Sequence, residues 1–233
     1  WFMERYFNPK SKKWDGPDAD YSPESDDIPW SMVPEKMITV EDVKYALSSH
    51  FQGTPFDPYA KSGDGLQKGK YRAIGINRND FLALIQMRPD VPANCQAVQW
   101  LAFASNAFNT LVPFYAAVDE TPEYLANTTK EVSTENFYWS ARMIAAMADA
   151  SFAKSAIHIE RYQNAVQAKG HALLRKYDAE AAKITDPAES RRLLEKANRE
   201  IAKMLKEETG NTLDHVLFEL SNSMKNAFSR SDA

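Results

Sequence analysis

Four apolar segments separated by short polar connections most constrain the fold of this chain: residues 71–76, 81–87, 95–104 and 110–118. Their lengths are typical of β-strands, and the first two, joined by a polar turn at residues 77–80, are predicted to form a hairpin. Segments joined by short connections usually become antiparallel neighbours. The sequence therefore predicts one antiparallel layer of about four strands, which needs further strands from elsewhere to complete a sheet.

The last third of the chain is predicted to be helical. Apolar residues recur at helical spacing over residues 137–177. A second stripe with the same spacing indicates a final helix, and its members are Leu213, Val216, Leu217, Leu220, Met224 and Phe228. Two or three antiparallel helices would bury these stripes against each other and against the sheet.

A helix start signal separates these two stripes. Asp186 can accept hydrogen bonds from free amides, Pro187 suits the first helical position, and Glu189 stands at the third. The helix that begins here is predicted to end at Gly210, because glycine commonly follows the last helical residue.

The first part of the chain is predicted to be mostly loop. Residues 8–34 are rich in Pro, Asp, Ser and Lys, and their aromatic residues Trp14, Tyr21 and Trp30 suggest a segment pinned to a surface. Thr39 is predicted to cap a helix that continues until Gly53.

Together these patterns predict an α+β fold. We divide it into a loop-rich surface segment (1–38), a helix with antiparallel strands (39–132), and antiparallel helices that pack on the sheet (133–233). The third segment is also a candidate oligomer interface.

The composition excludes several classes of protein. Hydrophobic residues make up 44% and charged residues 26%, and the formal net charge is -4. We therefore expect no nucleic-acid partner and no membrane partner, because both would call for a basic surface or a long apolar stretch. The single cysteine excludes an internal disulfide and fits a reducing compartment, so a cytoplasmic location is predicted. The chain opens at Trp1 rather than Met, and we expect it to be a fragment or a piece of a cleaved precursor.

Isolated motifs point to no familiar catalytic or metal site. The four histidines are widely spaced, and no metalloprotease helix, phosphate-binding loop or nucleophile elbow is present in the sequence. We therefore predict no metal and no cofactor. Cys95 begins an apolar segment with no histidine nearby in the sequence, so it is interpreted as a buried small hydrophobe and not as a nucleophile.

A resemblance to the cysteine dipeptidase A family goes further than these patterns. Five segments carry it: HFQGTPFD (50–57), YRAIGINRN (71–79), LIQMR (84–88), the run from DVPA to VQWLAF (90–103), and FNTLVPFY (108–115). They resemble, in order, H-Y-x-x-T-P-Y-D, R-P-I-G-I-N-R-N, I-L-Q-x-R, D-V-P-A…G-V-Q-W-L-A-F and F-N-x-x-x-P-F-Y of that family. The resemblance is dense as far as Trp139 and thin after Gln163.

The resemblance implies a mechanism and an architecture. The family is similar to N-terminal-nucleophile hydrolases, whose four-layer αββα sandwich carries a catalytic cysteine as the first mature residue. Its thiolate attacks the dipeptide carbonyl, and its own α-amine transfers the proton. Because Trp1 stands first here, the nucleophile is expected in a missing N-terminal half of the same protein. This chain alone is predicted to be inactive.

Two arginines are candidate substrate-binding residues. Arg72 and Arg88 lie in the matching segments, and a guanidinium binds a substrate carboxylate well. We expect one of them to point into the cleft. The alternative for each is an ion pair with a residue such as Asp80 or Asp90.

Two other functions stay open. The chain can be a non-catalytic scaffold or oligomerisation half, built on the helices of residues 136–206. It can also belong to a related hydrolase of small amides. A homo-oligomer is expected in the first of these and in the dipeptidase.

Overall fold

Two short helices organise the first part of the chain in the computed structural model, which describes residues 1–226. Helix α1 spans Phe2–Phe7 and α2 spans Val40–Leu47. Thr39 caps α2 as predicted, since its Oγ1 accepts a hydrogen bond from the Asp42 amide (3.2 Å). The Asp42 carboxylate in turn accepts one from the Thr39 amide (2.9 Å). This reciprocal pairing satisfies two amides of the first turn of α2.

Helix α2 ends at Leu47, earlier than the predicted end at Gly53. Phe51 has φ of 64°, in the left-handed region that a helix of L-residues does not enter. Its ring packs edge-on against Phe2 and Phe56, each at 6.1 Å between ring centroids. The chain therefore leaves the helix and buries Phe51 among aromatic rings.

The predicted strand at residues 71–76 is wrong. The segment forms turns instead, and the Gly75 amide donates a hydrogen bond to the Ser49 carbonyl (2.8 Å). A Cβ on Gly75 would lie 2.6 Å from the carbonyl carbon of Ser48, so the segment packs directly on the backbone that follows α2. This close contact, which no local pattern reveals, replaces the predicted hairpin.

The loop at residues 8–34 is pinned by one of its aromatic residues. Trp14 is buried, and its Nε1 donates a hydrogen bond to the Asn8 carbonyl (2.8 Å). The ring centroids of Tyr21 and Trp14 are 5.7 Å apart. Trp30 is fully exposed, so the same expectation is wrong for that residue.

Three strands form one antiparallel sheet in the order β1-β2-β3. They span Phe81–Met87 (β1), Ala97–Phe103 (β2) and Val112–Tyr115 (β3). Leu84 pairs with Trp100, which in turn pairs with Pro113. The predicted antiparallel layer is confirmed, with three strands in the described residues where about four were expected.

Four helices follow the sheet: α3 (Glu123–Ala126), α4 (Phe137–Ala150), α5 (Phe152–Ala181) and α6 (Pro187–Ser221). The long helical segment predicted from residue 137 is broken at Ser151, whose hydroxyl donates to the Met147 carbonyl (2.8 Å). Asp186 caps α6 as predicted, because its carboxylate accepts a hydrogen bond from the Glu189 amide (2.9 Å).

The end of α6 differs from the prediction. Helix α6 continues through Gly210, because the residues around it are fastened to α5. Thr209 is buried and hydrogen-bonded to the Tyr162 hydroxyl (2.8 Å). Of the described members of the predicted final stripe, Val216 is buried, Leu213 and Leu220 are half-buried, and Leu217 and Met224 are exposed. Phe228 lies outside the described residues.

An apolar core lies among β3, α4, α5 and α6. Its central members are Val112, Phe114, Phe137, Tyr162, Val166, Ile201 and Leu205. The structure forms two units, Trp1–Ile76 and the part from Asn77 onward. The α+β class is confirmed. The roles assigned to residues 1–38, 39–132 and 133–233 stay predictions.

Candidate functional site

Arg88, the first candidate substrate-binding residue, directly follows β1 and is engaged in a bidentate ion pair. Its Nη1 and Nη2 donate to the two carboxylate oxygens of Asp178 on α5, at 2.7 and 3.0 Å. Nη2 also donates to the Cys95 carbonyl (2.5 Å). Both side chains of the pair are mostly buried. Parallel hydrogen bonds of this kind fix the guanidinium firmly.

Tyr115 extends this pair to the opposite strand of the sheet. Its hydroxyl donates to Asp178 Oδ1 (2.8 Å) and also lies 3.0 Å from the Leu174 carbonyl oxygen. Burial and the Asp178 carboxylate raise the pKa of the Tyr115 hydroxyl well above its usual value. The hydroxyl therefore stays protonated and acts as a donor. Asp178 thus joins the end of β1 to the end of β3.

Cys95 lies beside the same network, and its thiol is in an environment that disfavours the reactive thiolate. Its side chain is fully buried. Burial, together with the negative charge of Asp178, raises the pKa of the Cys95 thiol to about 11. The interpretation of Cys95 as a buried small hydrophobe is confirmed.

Arg72, the second candidate, is exposed in the first unit. Within the described residues it has no hydrogen bond or ion pair. For Arg88, the ion pair named as the alternative exists, but its partner is Asp178. Asp80 instead pairs with Arg142 (3.0 Å) at the surface. The substrate-binding role of Arg72 and Arg88 stays a prediction.

A histidine–carboxylate pair in the first unit was missed by sequence reasoning. His50 Nδ1 lies 3.0 Å from Asp57 Oδ1, and both side chains are mostly buried. Asp57 Oδ1 also accepts a hydrogen bond from the Tyr59 amide (2.9 Å). A carboxylate in this position orients an imidazole and selects its tautomer. The signal lay in the matching segment at residues 50–57, where a turn at Gly53 brings both ends together.

A buried lysine was also missed. Lys44 on α2 is buried, and burial lowers the pKa of its amine to about 7. Its Nζ donates to Ser48 Oγ (2.6 Å), one helical turn further along the chain. Buried lysine side chains are rare, but an isolated lysine in a sequence gives no sign of its burial.

Residues 1–226 contain neither a metal-binding cluster nor a membrane-spanning helix. In that range no group of three His, Cys, Asp or Glu side chains is arranged to hold a metal ion. No helix there is both long enough and apolar enough to span a bilayer.

Comparison with known proteins places this chain in a family. Residues 1–165 match peptidase family C69. The chain belongs to peptidase family C69. The resemblance to the dipeptidase A family that the sequence suggested is thereby confirmed.

Relatives in this family carry dipeptidase names. A dipeptidase of Bifidobacterium longum is 44% identical to this chain, over all of the chain and 50% of the relative. A probable dipeptidase A of Streptococcus pyogenes serotype M3 is 40% identical, over all of the chain and 47% of the relative. Dipeptidase A of Lactobacillus helveticus is 38% identical, over 65% of the chain and 30% of the relative. The chain thus spans about half the length of the first two relatives.

Proposed function

We propose that this chain is part of a dipeptidase whose catalytic cysteine lies in polypeptide outside the chain. Membership of peptidase family C69 and the names of the relatives support dipeptide hydrolysis. The half-length match supports a further stretch of protein that completes the enzyme. The αββα sandwich and the N-terminal nucleophile are part of this proposal.

The state of Cys95 is the observation that carries the proposal. It is the single cysteine of the chain, and it is fully buried. Its pKa is raised to about 11 by burial and by the negative charge of Asp178, so the thiol stays in its neutral form at pH 7. A nucleophilic thiol needs the opposite conditions, a stabilised thiolate that substrate can reach. A cysteine peptidase of this family must therefore take its nucleophile from elsewhere.

The proposed chemistry needs no metal. The thiolate attacks the peptide carbonyl and expels the second amino acid as an amine, leaving an acyl-enzyme that water hydrolyses. The α-amine of the nucleophilic residue accepts and returns the proton. Arg72, exposed and without an ion pair in the described residues, is the better placed of the two arginines to bind a substrate carboxylate.

Cys95→Ser in the complete protein tests the proposal. We expect kcat/KM for dipeptide hydrolysis to stay within about twofold of the unmodified protein, because Cys95 does not touch the reaction. A thiol-alkylating reagent should still abolish activity in that variant, since it reaches the proposed nucleophile. Chain 1–233 alone should show no hydrolysis.

The role of Arg72 is tested separately. Arg72→Ala should raise KM more than it lowers kcat, because it removes binding of the substrate carboxylate.

Loss of all activity in Cys95→Ser, with an unchanged melting temperature, would refute the proposal that the nucleophile lies outside the chain. Homo-oligomerisation and a cytoplasmic location stay predictions.

A further inference from the structure

Strand β1 has one row of backbone groups that point away from the sheet. The Asp80 carbonyl accepts from the Ala104 amide and the Arg88 amide donates to the Gln96 carbonyl, both at 2.9 Å, so even-numbered residues face β2. Backbone groups alternate along a strand, so Phe81, Ala83, Ile85 and Met87 face outward. Within the described residues, the amides and carbonyls of these four have no partner on that side.

The side chains of the same four residues are exposed and apolar. Phe81 is 54% exposed, Ile85 70% and Met87 65%. Helices cover this face of the sheet at β3, where Val112 and Phe114 are buried. Their cover weakens at β2, where Leu101 and Phe103 are half-buried. Apart from Gln99 of β2, the side chains on this face therefore stay apolar from β3 to β1, while the helices that cover the face stop before β1.

Strand β1 also lacks the features that protect a natural edge strand. Its sequence, FLALIQM, contains no charged residue and no proline. Soluble proteins usually place lysine, proline or a bulge on an open edge, because an unprotected one pairs with other chains. The composition of β1 is typical of a strand buried inside a sheet.

We propose that β1 is an internal strand of the complete protein, paired along Phe81–Met87 with a strand from polypeptide outside this chain. Apolar side chains of that polypeptide would cover Phe81, Ile85 and Met87. The chain spans about half the length of its relatives, so a comparable length of protein is available as the occupant. This proposal rests on the part of the proposed function that places further polypeptide in the enzyme. It does not depend on the chemistry.

Residue-resolved amide hydrogen exchange tests the proposal. In chain 1–233, the amides of Ala83 and Ile85 should exchange quickly, whereas those of Leu82 and Leu84 are in the ladder with β2 and should exchange slowly. In the complete protein, the Ala83 and Ile85 amides should slow by at least about 100-fold and match their even-numbered neighbours. Fast exchange at Ala83 and Ile85 in the complete protein would overturn the proposal.

A second copy of the chain is the competing occupant. If a second copy were the occupant, the Ala83 and Ile85 amides would be protected from exchange in chain 1–233 alone, and this protection would increase with protein concentration. A dimer would then be present by light scattering. That outcome would also overturn the proposal.

A pair of lysine substitutions separates docking from a general folding defect. Ile85→Lys should leave the melting temperature of chain 1–233 nearly unchanged, because the side chain is exposed there. In the complete protein it should lower the melting temperature clearly, since the lysine would be buried between layers. Ile157→Lys on α5 is the control, because Ile157 is 46% exposed. Equal effects of both variants in the complete protein would contradict the proposal.

The two proposals can fail independently. Slow exchange at Ala83 without dipeptide hydrolysis would keep the docking of β1 and remove the dipeptidase. Hydrolysis with fast exchange would do the reverse.

Discussion

The two outer strands of the sheet, β3 and β1, differ in whether their outward-facing backbone groups have hydrogen-bond partners. On β3, the outward Tyr115 amide donates to Asn198 Oδ1 (2.9 Å), and Asn198 Nδ2 donates to the Tyr115 carbonyl (3.0 Å). Pro113 faces the same side and has no amide hydrogen to satisfy. Gly170 of α5 packs directly on the Pro113 ring. On β1, the corresponding row of backbone groups has no partner within the described residues.

This difference shows that a helix can close a sheet edge without another strand. The carboxamide of Asn198 presents one acceptor and one donor, the same pair that a neighbouring strand would offer. It comes from α6, which is far from β3 in sequence but packs on it. The Tyr115 amide and carbonyl are therefore not free to pair with a further strand, and within the described residues β1 is the edge that stays open.

The largest expected effect concerns the ion pair that joins the two outer strands from one face. Arg88→Ala leaves the mostly buried carboxylate of Asp178 without its cation, and removing one partner of such a pair costs about 3–5 kcal/mol. We expect a loss of this size in the free energy of unfolding of the unit from Asn77 onward, measured by urea titration of chain 1–233.

Arg142→Ala is the matched control for Arg88→Ala. Its ion pair with Asp80 is exposed, and surface pairs contribute about 0–1 kcal/mol. If both arginine variants lose the same small amount, the Asp178 network does not hold the ends of β1 and β3 together.

The next effect concerns the closed edge itself. Asn198→Ala leaves the buried amide and carbonyl of Tyr115 without partners, and each unsatisfied group costs roughly 1–3 kcal/mol. Asn198→Asp keeps an acceptor for the amide but removes the donor for the carbonyl. It also buries an unpaired carboxylate with one oxygen against the Tyr115 carbonyl oxygen, so at neutral pH we expect Asn198→Asp to lose at least as much stability as Asn198→Ala, as measured by thermal unfolding.

An exposed asparagine on the same helix provides the control. Asn211→Ala should be neutral or slightly stabilising, because alanine favours the helix by up to about 0.7 kcal/mol. If Asn198→Ala were equally neutral, the closure of β3 by its carboxamide would be disproved.

The features that the sequence predicted are those set by neighbouring residues. The caps at Thr39 and Asp186 depend on groups three residues apart, and both are present. Strands β1, β2 and β3 follow from their apolar segments. The family followed from many matching residues in order. Each of these signals is contained in a short window of sequence.

The features that the sequence missed depend on distant contacts. The segment at residues 71–76 is not a strand because Gly75 packs on Ser48, which precedes it by 27 positions in the numbering. Arg88 pairs with Asp178, a residue 90 positions away, whereas the alternative considered from the sequence was a nearer residue such as Asp80 or Asp90. Asn198 has no local pattern that marks it as the partner of a strand. Such pairings become visible when the helices are packed.

The smallest effect separates two helical glycines that differ in what surrounds them. Gly170 and Gly210 both lie inside long helices, where alanine is favoured by about 1 kcal/mol. A Cβ at Gly170 would lie 2.8 Å from Pro113 Cδ. A Cβ at Gly210 would have no such neighbouring atom within 4 Å in the described residues. Overpacking at such a contact costs about 1–3 kcal/mol. Gly210→Ala should therefore raise the free energy of unfolding.

Gly170→Ala should instead lower it, because α5 must move away from Pro113 and loosen the closed edge of the sheet. Thermal unfolding of both variants of chain 1–233 measures the contrast, which removes the contribution of helix propensity that they share. Stabilisation by both alanines would mean that α5 can shift from β3 at little cost. In that case the edge at β3 would be closed by Asn198 alone, and Asn198→Ala should then open β3 to exchange as fast as β1.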